Sequence, residues 1–147
     1  MLFYKFILRA GHGGGGKEQE LTVFVNADSY FKAIKKAKNF PTAKHHAANV
    51  VISSNVVDEA EYLRGIMLNG YSALKNNEDD YINKLENIVR IISYLKDYKF
   101  ETKEGQILNE YVSKYSIASN KEKELIERDY YNWAQNLINE NNENFVQ

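Results

Sequence analysis

The pattern of apolar and polar positions changes character once along the chain. Up to Val57 short apolar runs and alternation dominate; beyond it apolar residues recur at three- and four-residue steps. Leu2 to Arg9, LFYKFILR, is rich in aromatic and branched side chains. In Glu20 to Asn26, ELTVFVN, Leu21, Val23 and Val25 alternate with Thr22 and Phe24. Both read as strands. The Gly-rich AGHGGGGKEQ between them is short enough to close an antiparallel hairpin. Asp28 is placed to cap a helix from Ser29 to Phe40 with Tyr30, Phe31, Ala33, Ile34, Ala37 and Phe40 as its apolar face. Pro41 stops that helix, because proline disfavours helical geometry in the residue before it. VVISSNVV, ending at Val57, supplies a third strand. Residues 1–57 are therefore expected to form a β-β-α-β block, a three-stranded antiparallel or mixed sheet with one helix on a face and a Gly-rich hairpin tip.

The helical pattern after that block predicts a four-helix portion over residues 58–140 and a polar, frayed tail over 141–147, an α+β chain in all. Asp58 and Glu61 stand at capping-box spacing before Leu63, Ile66, Met67, Gly70, Tyr71 and Leu74. Gly65 in that helix suggests a bend and Gly70 a close helix contact. The longest uninterrupted pattern is Tyr81 to Tyr98, YINKLENIVRIISYLKDY, in which Leu85, Ile88, Ile92 and Leu95 fall on one stripe, widened by Ile91 and Tyr94. Asn77 and the acidic run Glu78 to Asp80 suit its N-terminus. Thr102 caps a helix through Ser116. Ser119 and Glu122 form a capping box for a last helix to about Asn139, with Ile126, Tyr130, Trp133 and Leu137 as its seam.

Composition narrows the chemistry. The 147 residues include no cysteine, which closes off disulfides, zinc ribbons and thiol nucleophiles. No apolar run reaches 18 residues, and the first apolar run is short and interrupted by Lys5, a poor match to a signal peptide; cytoplasmic residence is the expectation, with no membrane partner. The net charge of −1 hides an asymmetry: residues 1–56 hold eight basic side chains against three acidic ones, and the remainder eleven against seventeen. The two parts offer opposite potentials to partners.

The nearest thing to a catalytic motif is Gly11 to Lys17, which matches the GxxxxGK of a phosphate-binding loop. Glu18 stands where Ser or Thr would hold magnesium, and a strand follows where the motif needs a helix N-terminus. The loop reads instead as a recognition tip, with Gly13, Gly14 and Gly15 letting backbone amides approach a partner closely. His12, His45 and His46 lack the helical spacing and the carboxylate company of a metal site, so no metal and no cofactor are expected. No nucleophile triad or carboxylate cluster assembles, and the chain is read as no enzyme.

Two recognition surfaces remain. Tyr94, Tyr98, Tyr115 and Tyr131 lie along the C-terminal helices and, with the glycine tip, suit contact with another protein. Arg9, Lys17, Lys32, Lys35, Lys36, Lys44, His45 and His46 would serve the alternative, a sequence-independent nucleic-acid-binding module. The leading expectation is a non-catalytic protein-binding or regulatory protein. A phage or mobile-element inhibitor fits the small size and the lysine-, asparagine- and isoleucine-rich composition.

Overall fold

A computed structural model describes residues 1–10, 19–39, 50–68, 82–95 and 97–146. The chain is α+β and divides into two compact units, Met1–Asp80 and Tyr81–Gln147. The first holds β1 (Leu2–Ala10), β2 (Gln19–Ala27), α1 (Tyr30–Lys38), β3 (Val51–Val57) and α2 (Glu59–Met67). The second holds α3 (Leu85–Ile92), α4 (Lys103–Ile117) and α5 (Asn120–Val146).

The sheet has the order β2-β1-β3. β1 pairs with β2 antiparallel, from Leu2 opposite Ala27 to Ala10 opposite Gln19. It pairs with β3 antiparallel from Phe3 opposite Val57 to Leu8 opposite Val51, with a shift between Ile7 and Leu8 that leaves Ile52 as an extra residue on β3. Because both neighbours oppose β1, β2 and β3 are parallel to each other, and α1 is the crossover that joins them. On one face Tyr4, Phe6 and Leu8 stand opposite Val25, Val23 and Leu21, and α1 lays Ala33 and Ala37 over them. Each of the larger side chains contributes about 1.5 to 3 kcal/mol by leaving water.

α2 covers part of the other face, packing on β1 and β2. The sheet thus carries a helix on each side, and α2 belongs with the strands rather than with the later helices. Tyr62, fully buried, stacks on Phe3 at 4.4 Å between ring centroids. Its hydroxyl accepts a 2.8 Å hydrogen bond from Nδ2 of buried Asn26. Burial pushes the Tyr62 phenol up to about 12, and the bond from Asn26 opposes that shift. Gly65 fixes how closely α2 approaches: a Cβ built there would overlap the Phe24 ring. Gly65 is therefore a contact glycine, not a bend. Gly70, Asn77 and Glu78 to Asp80 lie outside the described residues.

Three caps read from the sequence are in place by geometry. Asp58 accepts from the Glu61 amide at 2.8 Å, Thr102 from the Gly105 amide at 3.0 Å, and Ser119 from the Glu122 amide at 3.4 Å while donating to the Glu122 carboxylate at 3.0 Å. The cap of α1 is Ser29, not Asp28; its hydroxyl accepts from the Lys32 amide at 3.3 Å. Asp28 instead meets the Lys32 ammonium at 3.8 Å.

The second unit corrects the largest expectation. The stripe from Ile82 through Leu85, Ile88 and Ile92 to Leu95 is buried as its spacing implies, but only Leu85–Ile92 is helical. At the front, the Asn83 carbonyl accepts the Tyr130 hydroxyl at 3.0 Å and the Asn83 side chain accepts from Asn87 at 2.9 Å. The first of these bonds ties the segment before α3 to α5. At the back, the Ser93 hydroxyl donates to the Arg90 carbonyl at 2.6 Å, the Leu95 amide bonds three residues back to Ile92, and Asp97 sits at φ 55 in the left-handed region. The longest helix is α5, which continues to Val146 with no Gly or Pro to stop it. α3 packs on α4 and α4 on α5. Tyr111, Tyr130 and Trp133 cluster between the last two, with centroids 5.6 to 6.4 Å apart.

Two expectations follow for the first unit. Tyr62→Phe keeps the stack on Phe3 and orphans the Asn26 amide, so urea denaturation should show a loss of about 1 to 3 kcal/mol. A phenol raised in the folded state also ties stability to pH. The unfolded chain ionises first, so stability is intact below about pH 10 and falls as pH rises toward 12. The loss is at most about 3 kcal/mol from this group, at about 1.36 per unit. That slope should be shallower in the Tyr62→Phe variant. Gly65→Ala gains about 1 kcal/mol of helix propensity but overpacks Phe24 at a cost of about 1 to 3 kcal/mol. A lower melting temperature is expected, and in a Phe24→Ala background, itself destabilised, Gly65→Ala should cause no further loss.

Candidate docking surface

Among the described residues α1 packs chiefly on β2 and then on β1, and it reaches β3 through Tyr30. Four large apolar side chains are exposed along this flank: Phe31 (66%), Val56 (62%), Tyr30 (48%) and Ile52 (42%). Tyr30 joins the helix to the strand. Its hydroxyl shares a 2.9 Å hydrogen bond with Ser54 Oγ, and its ring packs on Phe6 and Tyr4 with centroids 6.0 Å away.

The rotation of α1 is set by two contacts. Tyr30 reaches β3, whereas Lys36 reaches round the outer edge of β2, donating to the Asn26 backbone carbonyl at 2.6 Å and to Asn26 Oδ1 at 3.4 Å. Each residue turns a helix by about 100°. Phe31 therefore follows Tyr30 on the side away from Lys36, and Lys35 lies on the solvent side of the helix, opposite the buried Ala33 and Ala37. Lys35 holds its ammonium 4.6 Å from the Phe31 ring centre, a cation–π contact worth about 0.5 to 1 kcal/mol at an exposed site.

The expected apolar face of α1 was thus too wide. Ala33 and Ala37 are buried and Ile34 half-buried, but Tyr30 and Phe31 face solvent in large part. A helix beside two strands needs only a narrow stripe, and small alanines bring it so close that a bulky neighbour one step round the helix is left outside. An arc that includes both residue 30 and residue 31 was the available signal, since it exceeds what one sheet surface can cover.

The expected basic face is not a uniform array of solvated cations. Lys32 pairs with Asp28, Lys36 is taken up by Asn26, and Lys35 lies over Phe31. Arg9 is half-buried and stands opposite Glu20 in the strand register. Lys17, Lys44, His45 and His46 lie outside the described residues, as do Gly13, Gly14 and Gly15. The structure therefore brings together Lys32, Lys35 and Lys36 on one helix, while Arg9, the other described candidate, lies on β1.

The tyrosines expected at an interface also separate. Tyr94 (71%) and Tyr131 (47%) are exposed. Tyr98 is half-buried with its ring edge-on to Phe100 at 5.2 Å. Tyr115 is half-buried, with the Lys123 ammonium 5.0 Å from its ring centre. Burial, and then the carboxylates of Glu127 and Glu86, raise its phenol above the usual value. Tyr130 is interior, and burial followed by Glu127 raises its phenol strongly. Among the described residues no group of three His, Cys, Asp or Glu side chains is arranged to hold a metal ion. Among the same residues no helix is long and apolar enough to cross a membrane.

Comparison with protein-family models, with curated proteins and with solved structures found no match, so the roles of these residues rest on their geometry alone.

Proposed function

We propose that this chain is a protein-binding module that acts by contact rather than by catalysis. The observation that carries the reading is the uncovered flank of the first unit, where Phe31, Tyr30, Val56 and Ile52 stay in water beside an uncharged strand. Single exposed apolar residues are ordinary; several along one helix–strand flank are the pattern of an interaction surface. Tyr30 has the character of an interface anchor, with a rigid aromatic body and a hydroxyl fixed by Ser54. Lys35, lying over Phe31, gives the flank a polar border of the kind that surrounds an apolar contact area. An inhibitory or regulatory role for a mobile element is compatible with such a module and draws on composition alone.

Nucleic-acid binding ranks second. On its basic face Lys36 keeps its charge but is held at the Asn26 carbonyl, and Asp28 opposes the charge of Lys32, so the cations are not free to follow a phosphate backbone together.

The two readings separate in a pull-down of the tagged full chain from a bacterial lysate with and without nuclease. A discrete protein retained in near-stoichiometric amount after nuclease treatment is expected. Bound material that disappears with nuclease, and whose retention falls steeply with salt, would replace this proposal with the nucleic-acid reading.

A further inference from the structure

α1 and α2 lie on opposite faces of the sheet, and one buried asparagine touches both. Phe3, which stacks on Tyr62, stands opposite Asn26 in the register, so the Asn26 side chain belongs to the α2 face. There its Nδ2 donates to the Tyr62 hydroxyl at 2.8 Å. From the α1 face Lys36 reaches round β2 and donates to the Asn26 backbone carbonyl at 2.6 Å and to Oδ1 at 3.4 Å. Asn26 and Tyr62 are both buried.

The direction of the middle bond is not dictated by Asn26 and Tyr62 themselves. An amide donates through nitrogen or accepts through oxygen, and a phenol does either, so both orientations of the amide yield one hydrogen bond between them. Lys36 makes the choice. An ammonium only donates, so it favours the orientation with Oδ1 on its own side and Nδ2 turned to Tyr62. That orientation leaves the Tyr62 hydroxyl proton with no acceptor among the described residues. A buried donor left unmatched is costly. The opposite orientation, with Tyr62 donating to Oδ1, would match it, and the charge brought by α1 opposes that turn.

We infer that Lys36, Asn26 and Tyr62 form a relay round the edge of β2, in which the charge that α1 carries to Asn26 sets the hydrogen bond beneath α2. The input is the Lys36 ammonium, and the output is the orientation of a buried amide. Neutralising or withdrawing the ammonium frees the amide to turn, so α2 registers a change made on the opposite face. A side chain with two discrete arrangements, biased from two helices, is the physical form that coupling between sites takes. Tyr30 and Phe31 ride on the same helix as Lys36, so on the protein-binding reading a partner that shifts α1 is felt at α2. The relay itself does not depend on that reading.

The test compares the full chain with Lys36→Met, which keeps an apolar stem and removes the charge, and with Lys36→Arg, which keeps a cation that only donates. Lys36 is exposed, so the circular dichroism of both variants should match the parent. Hydrogen exchange of the Asn26 Nδ2 protons, followed by NMR, is the direct readout. Exchange should be roughly tenfold faster in Lys36→Met, because the released amide turns Nδ2 to the strand edge, and should keep the parent's rate in Lys36→Arg. A double-mutant cycle reads the same coupling from stability. Tyr62→Phe should lower the urea midpoint of the parent and of Lys36→Arg equally. In Lys36→Met the drop should be no more than half as large, since a freed amide can leave the site where the phenol hydroxyl stood. Unchanged exchange in Lys36→Met, equally fast exchange in Lys36→Arg, or the same Tyr62→Phe loss in all three backgrounds would each overturn the relay. Where a double variant does not fold, the exchange rates of the single variants decide. None of these measurements involves a partner, so the protein-binding reading stands or falls separately.

Discussion

β1 has to be satisfied on both edges and both faces at once, and the first unit is the arrangement that does so. Nine residues of β2 pair with one edge and β3 with the other. Tyr4, Phe6 and Leu8 need cover on one face, and Phe3 on the other. A hairpin alone would leave both faces wet and be marginal in water. The third strand must come back parallel to β2, which requires a crossover, and α1 serves as crossover and as cover together. A helix is only about 10 Å across; with Ala33 and Ala37 seated over β2 and β1, Tyr30, Phe31, Ile52 and Val56 beside it stay exposed.

The same constraint explains why so much of the fold was legible. Alternation in β2, the apolar density of β1 and the caps at Asp58, Thr102 and Ser119 are local signals, and local signals decide the ends and types of elements. The β-β-α-β order followed from them. What they could not show was any choice settled at a distance. Tyr81 to Tyr98 has a helical stripe, and the stripe is buried, but Tyr130 takes the Asn83 carbonyl and Ser93 takes that of Arg90, so the helix keeps only its middle. Gly65 reads as a weak point in a helix until Phe24 appears beneath it. The tail of α5 reads as frayed because its residues are polar, yet polarity does not stop a helix that has already nucleated.

Tyrosine is used in two ways, and Tyr130 on the seam of the last helix already pointed to the second. Its abundance suggested contact surfaces, and Tyr94 and Tyr131 are exposed as that reading requires. Tyr62 and Tyr130, however, are among the most deeply buried residues of their respective units. Each carries a large apolar ring into the interior and finds an asparagine for its hydroxyl, the Asn26 amide in one unit and the Asn83 carbonyl in the other. A phenol can be buried at low cost only when that partner exists. Asn26 and Asn83 lie 36 and 47 residues away in sequence, so nothing in the neighbourhood of either tyrosine announces it.

The candidate surface was the least legible part, and for a related reason. The lysines of α1 look alike in sequence, four cations on one short helix, and as a group they suggest phosphate. Structure gives them separate tasks. Lys32 holds Asp28, Lys36 reaches round the β2 edge to Asn26, and Lys35 lies over the Phe31 ring. The partners of Lys32 and Lys35 stand four residues away on the same turn of chain, whereas Lys36 reaches ten residues back to Asn26 on β2, so a face that is continuous in sequence is divided by contacts of different range.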